Sequence, residues 1–474
     1  MEYTPGDIEL KNITLYNYRN NFNEIQNITQ EFTIFHDLMD NGIYCELYIL
    51  DGNGIVEMLP IIGDELLVIN FRTPTFDKVR SYIFRVYKID NKTKSNERTD
   101  GYVLHGVSQE ILNNNRKSVN KSYTNLPASS IVKNIYNEYL KPNEQDFFIV
   151  KKKSLYVQDT LDNHHVVFPG EKPFTAINTM CMEAKVRNNG KLTQYDFINK
   201  KISEEEYFDN SEASNFIFYE SYDGWHFKTI DSLLSQEPVD NYYFTNARIE
   251  DKNEGQETIK PYQIISDLSY EKQFDTLENM ETGLYFHKVE TIDPITKRFT
   301  TDVFTYDKDR KKISHLEKDK NLFSKKSIFK NYTDTSLSYY MQSNIGENYN
   351  KASYLSSAIS TDPQIRNPRY LHSFFKYEIV SRIQLNNIVL SIGIPGNTDI
   401  EVGQVVNIHI PQNSGVEEYK RKTNILYGTK FFITAVRHTY NKVDNNFFTV
   451  FEAVKDTYAK GVVEETRDII DEDE

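Results

Sequence analysis

The sequence predicts a mainly β protein with helices added: an α+β chain of several domains, in which two similar β-barrel domains accompany inserted α/β middle domains. Three observations lead there. The last hundred residues echo the apolar pattern of the first hundred, both stretches alternate with period two, and helix signals concentrate between them.

The echo is read by simple offsets. Adding 345 to Phe32, Ile34, Leu38, Ile43, Cys45, Leu47 and Ile49 gives Tyr377, Ile379, Ile383, Ile388, Leu390, Ile392 and Ile394, all apolar or aromatic. An offset of 339 takes Leu67, Ile69 and Phe71 to Val406, Ile408 and Ile410. An offset of 347 takes Phe84, Val86 and Ile89 to Phe431, Ile433 and Val436, and 346 takes Tyr102 and Leu104 to Phe448 and Val450. The offset changes fall in polar or Gly/Pro-bearing stretches, where loops accept insertions. Against this stands the bland reading that any two alternating meanders align roughly.

The elements follow in chain order. Alternation places strands at 13–18, 31–37, 43–50, 66–71, 82–89 and 102–107, with Asn41-Gly42 as a hairpin turn. The polar stretch Asp90 to Asp100 reads as an exposed loop. A helix starts near Leu126-Pro127, turns Ile131, Ile135, Tyr139 and Leu140 to one face, and stops before Pro142. Phe147 to Val150 and Leu155 to Val157 read as strands. Pro173 opens a second helix with Phe174, Ile177, Met180, Cys181 and Ala184 inward. Phe216 to Ser221 and Asp223 to Phe227 form a hairpin about Asp223-Gly224. Ile264, Leu268, Phe274, Leu277 and Met280 suggest helical packing. Strands return at 283–292 and 299–306, around Asp293-Pro294. The resulting division is a first barrel at 8–125, a helix and α+β middle domain at 126–240, and a connecting domain with a charged linker at 241–370. A second barrel follows at 371–458, then an acidic tail at 459–474 that reads as disordered.

Bulk properties narrow the function. The 474 residues carry a formal charge of -14, so a nucleic-acid-binding surface is not expected. An acidic wall would still let DNA slide past without sticking. The 33 Tyr and 29 Phe suit strand faces and subunit interfaces. Cys45 and Cys181 sit in apolar patterns and read as buried free thiols. The N-terminus is polar and acidic, unlike a signal peptide, and no run reaches the ~18 apolar residues of a membrane span. The chain therefore reads as soluble and made in a cytoplasm.

Chemistry-bearing motifs are sparse. His164-His165 lacks further ligands at metal-site spacing and reads as a polar turn before Val166-Val167-Phe168. Asp51-Gly52-Asn53-Gly54 faintly resembles a calcium loop, but Ile62 stands where the closing bidentate Glu belongs. Glu204-Glu205-Glu206 and Glu417-Glu418 read as solvated charge runs, and Lys151-Lys152-Lys153 as a loop or strand start. No phosphate-cradling loop, nucleophile elbow or zinc spacing is found. No catalytic, cofactor-binding or metal-ligating residue is assigned.

Two stretches carry a family resemblance. The run from Ile28-Thr29-Gln30-Glu31-Phe32 to Ile61-Ile62-Gly63-Asp64-Glu65 resembles the N-terminal barrel of baseplate central hub proteins of contractile-tailed phages. Phe218-Tyr219-Glu220-Ser221 with Asp223-Gly224-Trp225-His226-Phe227 resembles the hairpin of that family's middle domain. The resemblance implies two tube-type barrels per chain and a non-enzymatic homotrimer. The trimer would form a pseudo-sixfold ring joining a sixfold tail tube to a threefold, cell-puncturing spike. Implied partners are other copies of the chain, the tail-spike protein, the tail tube or tube-initiator protein and the tape-measure protein, with DNA passing through the lumen without specific binding. The implied location is the virion baseplate, assembled in the host cytoplasm. The alternatives are a hub of a non-phage contractile injection machine and, distantly, a carbohydrate-processing β enzyme. In this frame two loop pairs become candidate ring interfaces. One pair comprises Asn91, Lys92, Lys94 and Arg98 with Asn441, Lys442 and Asp444. The other comprises Arg72 and Lys78 with Glu417 and Lys420.

Overall fold

A computed structural model of the chain describes residues 6–142, 153–186, 215–244, 259–316, 338–342, 369–411 and 429–456, apart from 18–20, 59–60, 64, 74–77, 97, 161–162, 294–297 and 311–312. The chain is mostly β and multi-domain, organised around one thirteen-stranded sheet. That sheet contains two modules.

The first module runs through β1 (Glu9–Tyr16), β2 (Phe22–Glu24), β3 (Thr29–Asp37), β4 (Ile43–Asp51), the one-turn helix α1 (Ile55–Met58), β5 (Leu66–Thr73), β6 (Lys78–Asn96) and β7 (Thr99–Val107). Its sheet order is β3-β4-β7-β6-β5-β1, with β2 beyond, and every neighbour is antiparallel. The alternating residues Phe32, Ile34, Cys45, Leu47, Ile49, Leu67, Ile69, Phe71, Phe84, Val86 and Leu104 all point into one core, as the period-two pattern dictates.

The middle region follows. It comprises α2 (Gln109–Arg116), β8 (Val119–Pro127), α3 (Ala128–Ile135) with a π-helical turn at Tyr136–Leu140, β9 (Ser154–Val157), β10 (Asn163–Glu171), α4 (Pro173–Glu183), β11 (Phe216–Glu220), β12 (Gly224–Thr229) and α5 (Ile230–Leu234). Of the α3 face predicted to be inward, Ile131, Ile135 and Leu140 are buried and Tyr139 is half-buried, and the helix ends before Pro142. Pro173 sits in the first turn of α4, whose Phe174, Ile177, Met180 and Cys181 are buried. Trp225 stacks on Phe218 at 4.9 Å in their shared core. Gly224 is required at the hairpin, since a Cβ there would meet the Ser154 carbonyl oxygen at 2.2 Å.

The second module begins with β13 (Asn241–Tyr243) and β14 (Asp267–Lys272). The chain then leaves it for α6 (Thr276–Glu281), β15 (Phe286–Asp293), β16 (Arg298–Thr305), α7 (Tyr306–Asp309), β17 (Ser338–Gln342) and α8 (Arg369–Leu385). It returns with β18 (Ile388–Pro395), β19 (Val405–His409), β20 (Lys430–Asn441) and β21 (Asn446–Lys455). The order is β14-β18-β21-β20-β19-β13, the order of the first module strand for strand. Both long strands even bulge at the same place: pairing skips Tyr87 between Val86 and Lys88, and Thr434 between Ile433 and Ala435. One difference remains, because β13 runs parallel to β19 whereas β1 is antiparallel to β5.

The structure corrects five readings. Tyr377, Ile379 and Ile383 lie on α8, not on a counterpart of β3; β14 occupies that place, pairing with β18 as β3 pairs with β4. Tyr377, Val380, Ser381, Gln384 and Leu385 are buried there along with Glu378, a helical spacing that short-range alternation imitates. Leu268 accordingly belongs to a strand, not to a helix. The offset of 346 is one residue short: strand pairing sets Tyr102 on Thr449 and Leu104 on Phe451, and Phe451 is buried whereas Val450 is only half-buried. A one-residue slip always exchanges the two faces. Residues 90–100 are not a loop but a two-stranded ribbon, because β6 continues to Asn96 and β7 starts at Thr99. Both faces of that ribbon meet solvent, so it lacks apolar alternation. His164-His165 lies within β10, held to β8, rather than in a turn. The expected strand at 147–150, the linker at 317–337 and 343–368, and the tail at 459–474 lie outside the described residues.

Candidate functional site

The two modules meet edge to edge. Strand β20 pairs antiparallel with β3 from Ala435↔Asp37 to Asn441↔Glu31. The Thr33 and Thr439 hydroxyls face each other at 3.4 Å, and the Leu38 amide donates to the Thr434 carbonyl at 2.8 Å. Phe32 meets Tyr440 at 5.2 Å between ring centres, and Phe71 meets Phe447 at 5.2 Å. Tyr440 and Phe447 thus belong to the first module's core, and Leu38 belongs to the second's. His438 is fully buried, and burial, reinforced by the nearby Arg80 charge, pushes it down to about 3. It is therefore neutral, with Nδ1 3.0 Å from the Thr449 hydroxyl.

A polar wedge locks the same junction. Arg80 donates to the Thr398 carbonyl at 2.7 Å and to Asp399 at 2.8 Å. Tyr222, from the β11–β12 turn, lies 4.2 Å from the Arg80 guanidinium, accepts the Ser81 amide at 3.1 Å, and donates its own amide to Glu401 at 3.2 Å. Burial, with Asp223 adding repulsion, pushes the Glu401 carboxyl up to about 7 despite Arg80. The middle region therefore touches both modules through one hairpin turn.

A second polar cluster ties the middle region to the first module. Glu220 accepts from the Ser108 hydroxyl at 2.6 Å and the Ile43 amide at 3.1 Å. Lys153 pairs with Glu220 and lies 3.0 Å from Glu110. Burial pulls the Lys153 ammonium down, but the two carboxylates outweigh it and the net shift is upward. Burial raises Glu220 against the pull of Lys153. Every group here is engaged in holding two chain segments together, and Ile43, Ser108, Glu110, Lys153 and Glu220 also form part of the lining of the small cavity beside it. Asp51 is likewise structural, accepting the Asn53 and Ile55 amides at 2.9 and 2.7 Å. His164 lies 3.5 Å from Glu183, and among the described residues no group of three or more His, Cys, Asp or Glu could hold a metal ion. Cys45 and Cys181 are buried and free, and burial pushes the Cys181 thiol up to about 12.

The predicted interface residues fall at two opposite ends of the modules, as consecutive antiparallel turns must. Asn91, Lys92 and Lys94 lie on the exposed ribbon of β6, Arg98 at its turn; Lys92 pairs with Asp100 at 3.2 Å. Asn441, Lys442 and Asp444 form the corresponding β20–β21 turn, where Lys442 binds back to the first module through the Gln30 and Asn27 carbonyls. At the other end, Arg72 lies 3.4 Å from Glu9 and Lys78 bridges to Asp399 at 3.0 Å. Glu417 and Lys420 lie outside the described residues. Arg80, Asp399 and Glu401 were not foreseen. Glu220 stood inside a quoted motif, but nothing in its spacing revealed that its carboxylate is buried.

No protein-family model matches the chain, and no curated protein sequence matches it. Its fold is that of a phage tail protein. Over 94% of this chain and 96% of the other, it is similar to the tail protein from Neisseria meningitidis MC58, with a TM-score of 0.52 at 9% identity. It is also similar to the prophage MuSo2 43 kDa tail protein from Shewanella oneidensis, at TM-score 0.48 and 8% identity over 94% of this chain and all of that one. An E. coli component of the type VI secretion system matches at TM-score 0.40 and 10% identity, covering 94% of this chain and 76% of that one. The likeness to the Neisseria tail protein is one of fold.

Proposed function

We propose that the chain is a structural, non-enzymatic hub of a contractile tail. Three copies form a pseudo-sixfold ring that joins the sixfold tail tube to the threefold spike. Each module is one tube-type barrel. The second domain of this kind starts at β13, near residue 241, and residues 273–387 are an insertion within it. The observation that carries this reading is the repeat of one strand order, with one shared bulge, in two modules that join edge to edge. Equivalent units joined by a heterologous contact build rings when the rotation closes. The partners are other copies of the chain, the spike, the tube or its initiator, and the tape-measure protein; the acidic chain lets DNA pass without binding. The predicted interface turns at the two ends contact the neighbouring rings, and the site of action is the virion baseplate. The test is the mass of the purified protein alone and with the spike protein of the same genome. A trimer in either sample supports the hub, and a persistent monomer in both overturns it.

A further inference from the structure

The β20–β3 contact joins the end of one module to the start of the other. The sheet path β14-β18-β21-β20-β3-β4-β7-β6 is two copies of one four-strand unit. Its first strand, β14, pairs only with β18 among the described strands. At its far end β6 pairs with β5 only as far as Arg85, so residues 88–96 are held by β7 on one edge alone. These two edges are the equivalents of the β3 and β20 edges that already meet inside the chain.

We infer that the exposed edge of β6 pairs antiparallel with β14 of a second copy of this chain, repeating between copies the junction that β20 and β3 make within one. The inference rests on the ring reading and names the strands and the register that would close it. The register follows from shared partners. Through β7 and β21, Asp90, Thr93, Lys94 and Asn96 correspond to Arg437, Thr439, Tyr440 and Asn441. Through β4 and β18, Asp267, Leu268, Ser269 and Lys272 correspond to Glu31, Phe32, Thr33 and Phe35. The β20–β3 register then sets Asp90 opposite Lys272, Thr93 opposite Ser269, Lys94 opposite Leu268 and Asn96 opposite Asp267.

Three features of the two strands suit that pairing. Asp90 and Lys272 are opposite charges directly across the strands, a stabilising cross-strand pair. Thr93 and Ser269 repeat the hydroxyl pair of Thr439 and Thr33. Both strands also carry an irregularity at the same step, between Asp90 and Thr93 in β6 and between Tyr270 and Lys272 in β14, so the ladders break together. An unpaired edge is a template for another chain, although lysines such as Lys88, Lys92 and Lys94 also serve to keep edges apart in solution. The experiment must separate these roles.

Thr93→Cys and Ser269→Cys are introduced together in the full-length protein. Both positions are exposed, so folding is preserved. The control is Thr33→Cys with Thr439→Cys, which must form an internal disulfide and leave the chain monomeric on a non-reducing gel. Under mild oxidation in the presence of the spike protein, the Thr93/Ser269 double variant is expected to yield covalent dimers and trimers in most of the material. Each single variant should form no species above a dimer. Light scattering on the same samples separates the two levels. A trimer by mass with no cross-link at Thr93/Ser269, alongside a cross-linked control, overturns the strand pairing and leaves the hub reading standing. A protein that stays a monomer by mass overturns both.

Discussion

Strand β3 and strand β14 hold the same place in two modules built alike, yet β3 is largely buried and β14 is largely exposed. The same holds for β20, whose Val436, His438 and Tyr440 are buried, against residues 88–96 of β6, which are mostly in solvent. Nothing in the modules themselves accounts for this contrast. It arises because one junction is made inside the chain and its equivalent is not. A covered edge carries aromatic residues such as Phe32 and Tyr440, whereas the bare edges carry mainly polar and charged residues, with Leu268 and Tyr270 of β14 as exceptions, and charged edges resist unplanned pairing. Energy should therefore be concentrated at β3–β20, with little monomer stability residing in β14 or the β6 ribbon.

The largest expected effect is at the covered junction. Phe447 is fully buried between the modules, 5.2 Å from Phe71 and 5.7 Å from His438. Phe447→Ala removes that packing and leaves a cavity, at a cost of about 3–5 kcal/mol. Urea unfolding of the purified chain measures it. A loss below about 1 kcal/mol would mean that the modules hardly depend on each other for stability.

The second effect tests the tie between the middle region and the first module. Lys153→Met leaves Glu110 and Glu220 buried beside each other without their cation, at a cost of about 3 kcal/mol or more. Chemical denaturation should show the loss. Hydrogen exchange should show faster opening at the Ile43 amide, which bonds to Glu220. Unchanged exchange there would separate the charge cluster from the junction it is argued to hold.

How much of this was legible in the sequence differs between the same two regions. The covered strands announce themselves, because burial on one face leaves alternating Phe32, Ile34, Cys45 and Leu47. The bare ones do not: Asn91 to Asn96 has no apolar face to alternate, so a ribbon looked like a loop. The second module was legible only from β18 onward. Its opening strands β13 and β14 lie more than a hundred residues earlier in the chain than β18, and no periodicity reports that distant segments pair. The apolar run Tyr377 to Leu385 filled the gap deceptively, since over so few residues helical and alternating patterns coincide. The polar wedge was invisible for a related reason: Arg80 and Glu401 are ordinary surface residue types until tertiary folding brings them together.

The wedge also makes the junction pH-dependent. Glu401 is raised from the ordinary 4.5 to about 7 by burial and by Asp223. Between those values the folded chain retains a proton that the unfolded chain has released. Its contribution is fully present below 4.5 and is lost as pH rises through about 7. The loss is on the order of 3 kcal/mol. Glu401→Gln should flatten this slope, with the variant gaining on the parent between pH 5 and pH 8 in parallel denaturant titrations. A parallel pair of curves would show that Glu401 is ionised at little cost.

The smallest effect completes the comparison between the edges. Lys94 of the bare edge and Tyr440 of the covered edge are equivalent by strand pairing. Tyr440→Ala removes a buried ring that packs on Phe32 and should cost about 2–4 kcal/mol. Lys94→Ala changes an exposed side chain and should alter the unfolding free energy of the monomer by no more than about 0.5 kcal/mol. Equal losses at the two positions would mean that the β6 ribbon is already buried in the free chain. Near-silence at Lys94, measured alongside a clear loss at Tyr440, would mean that the β6 edge contributes little to the stability of the single chain, in contrast to the equivalent edge of β20.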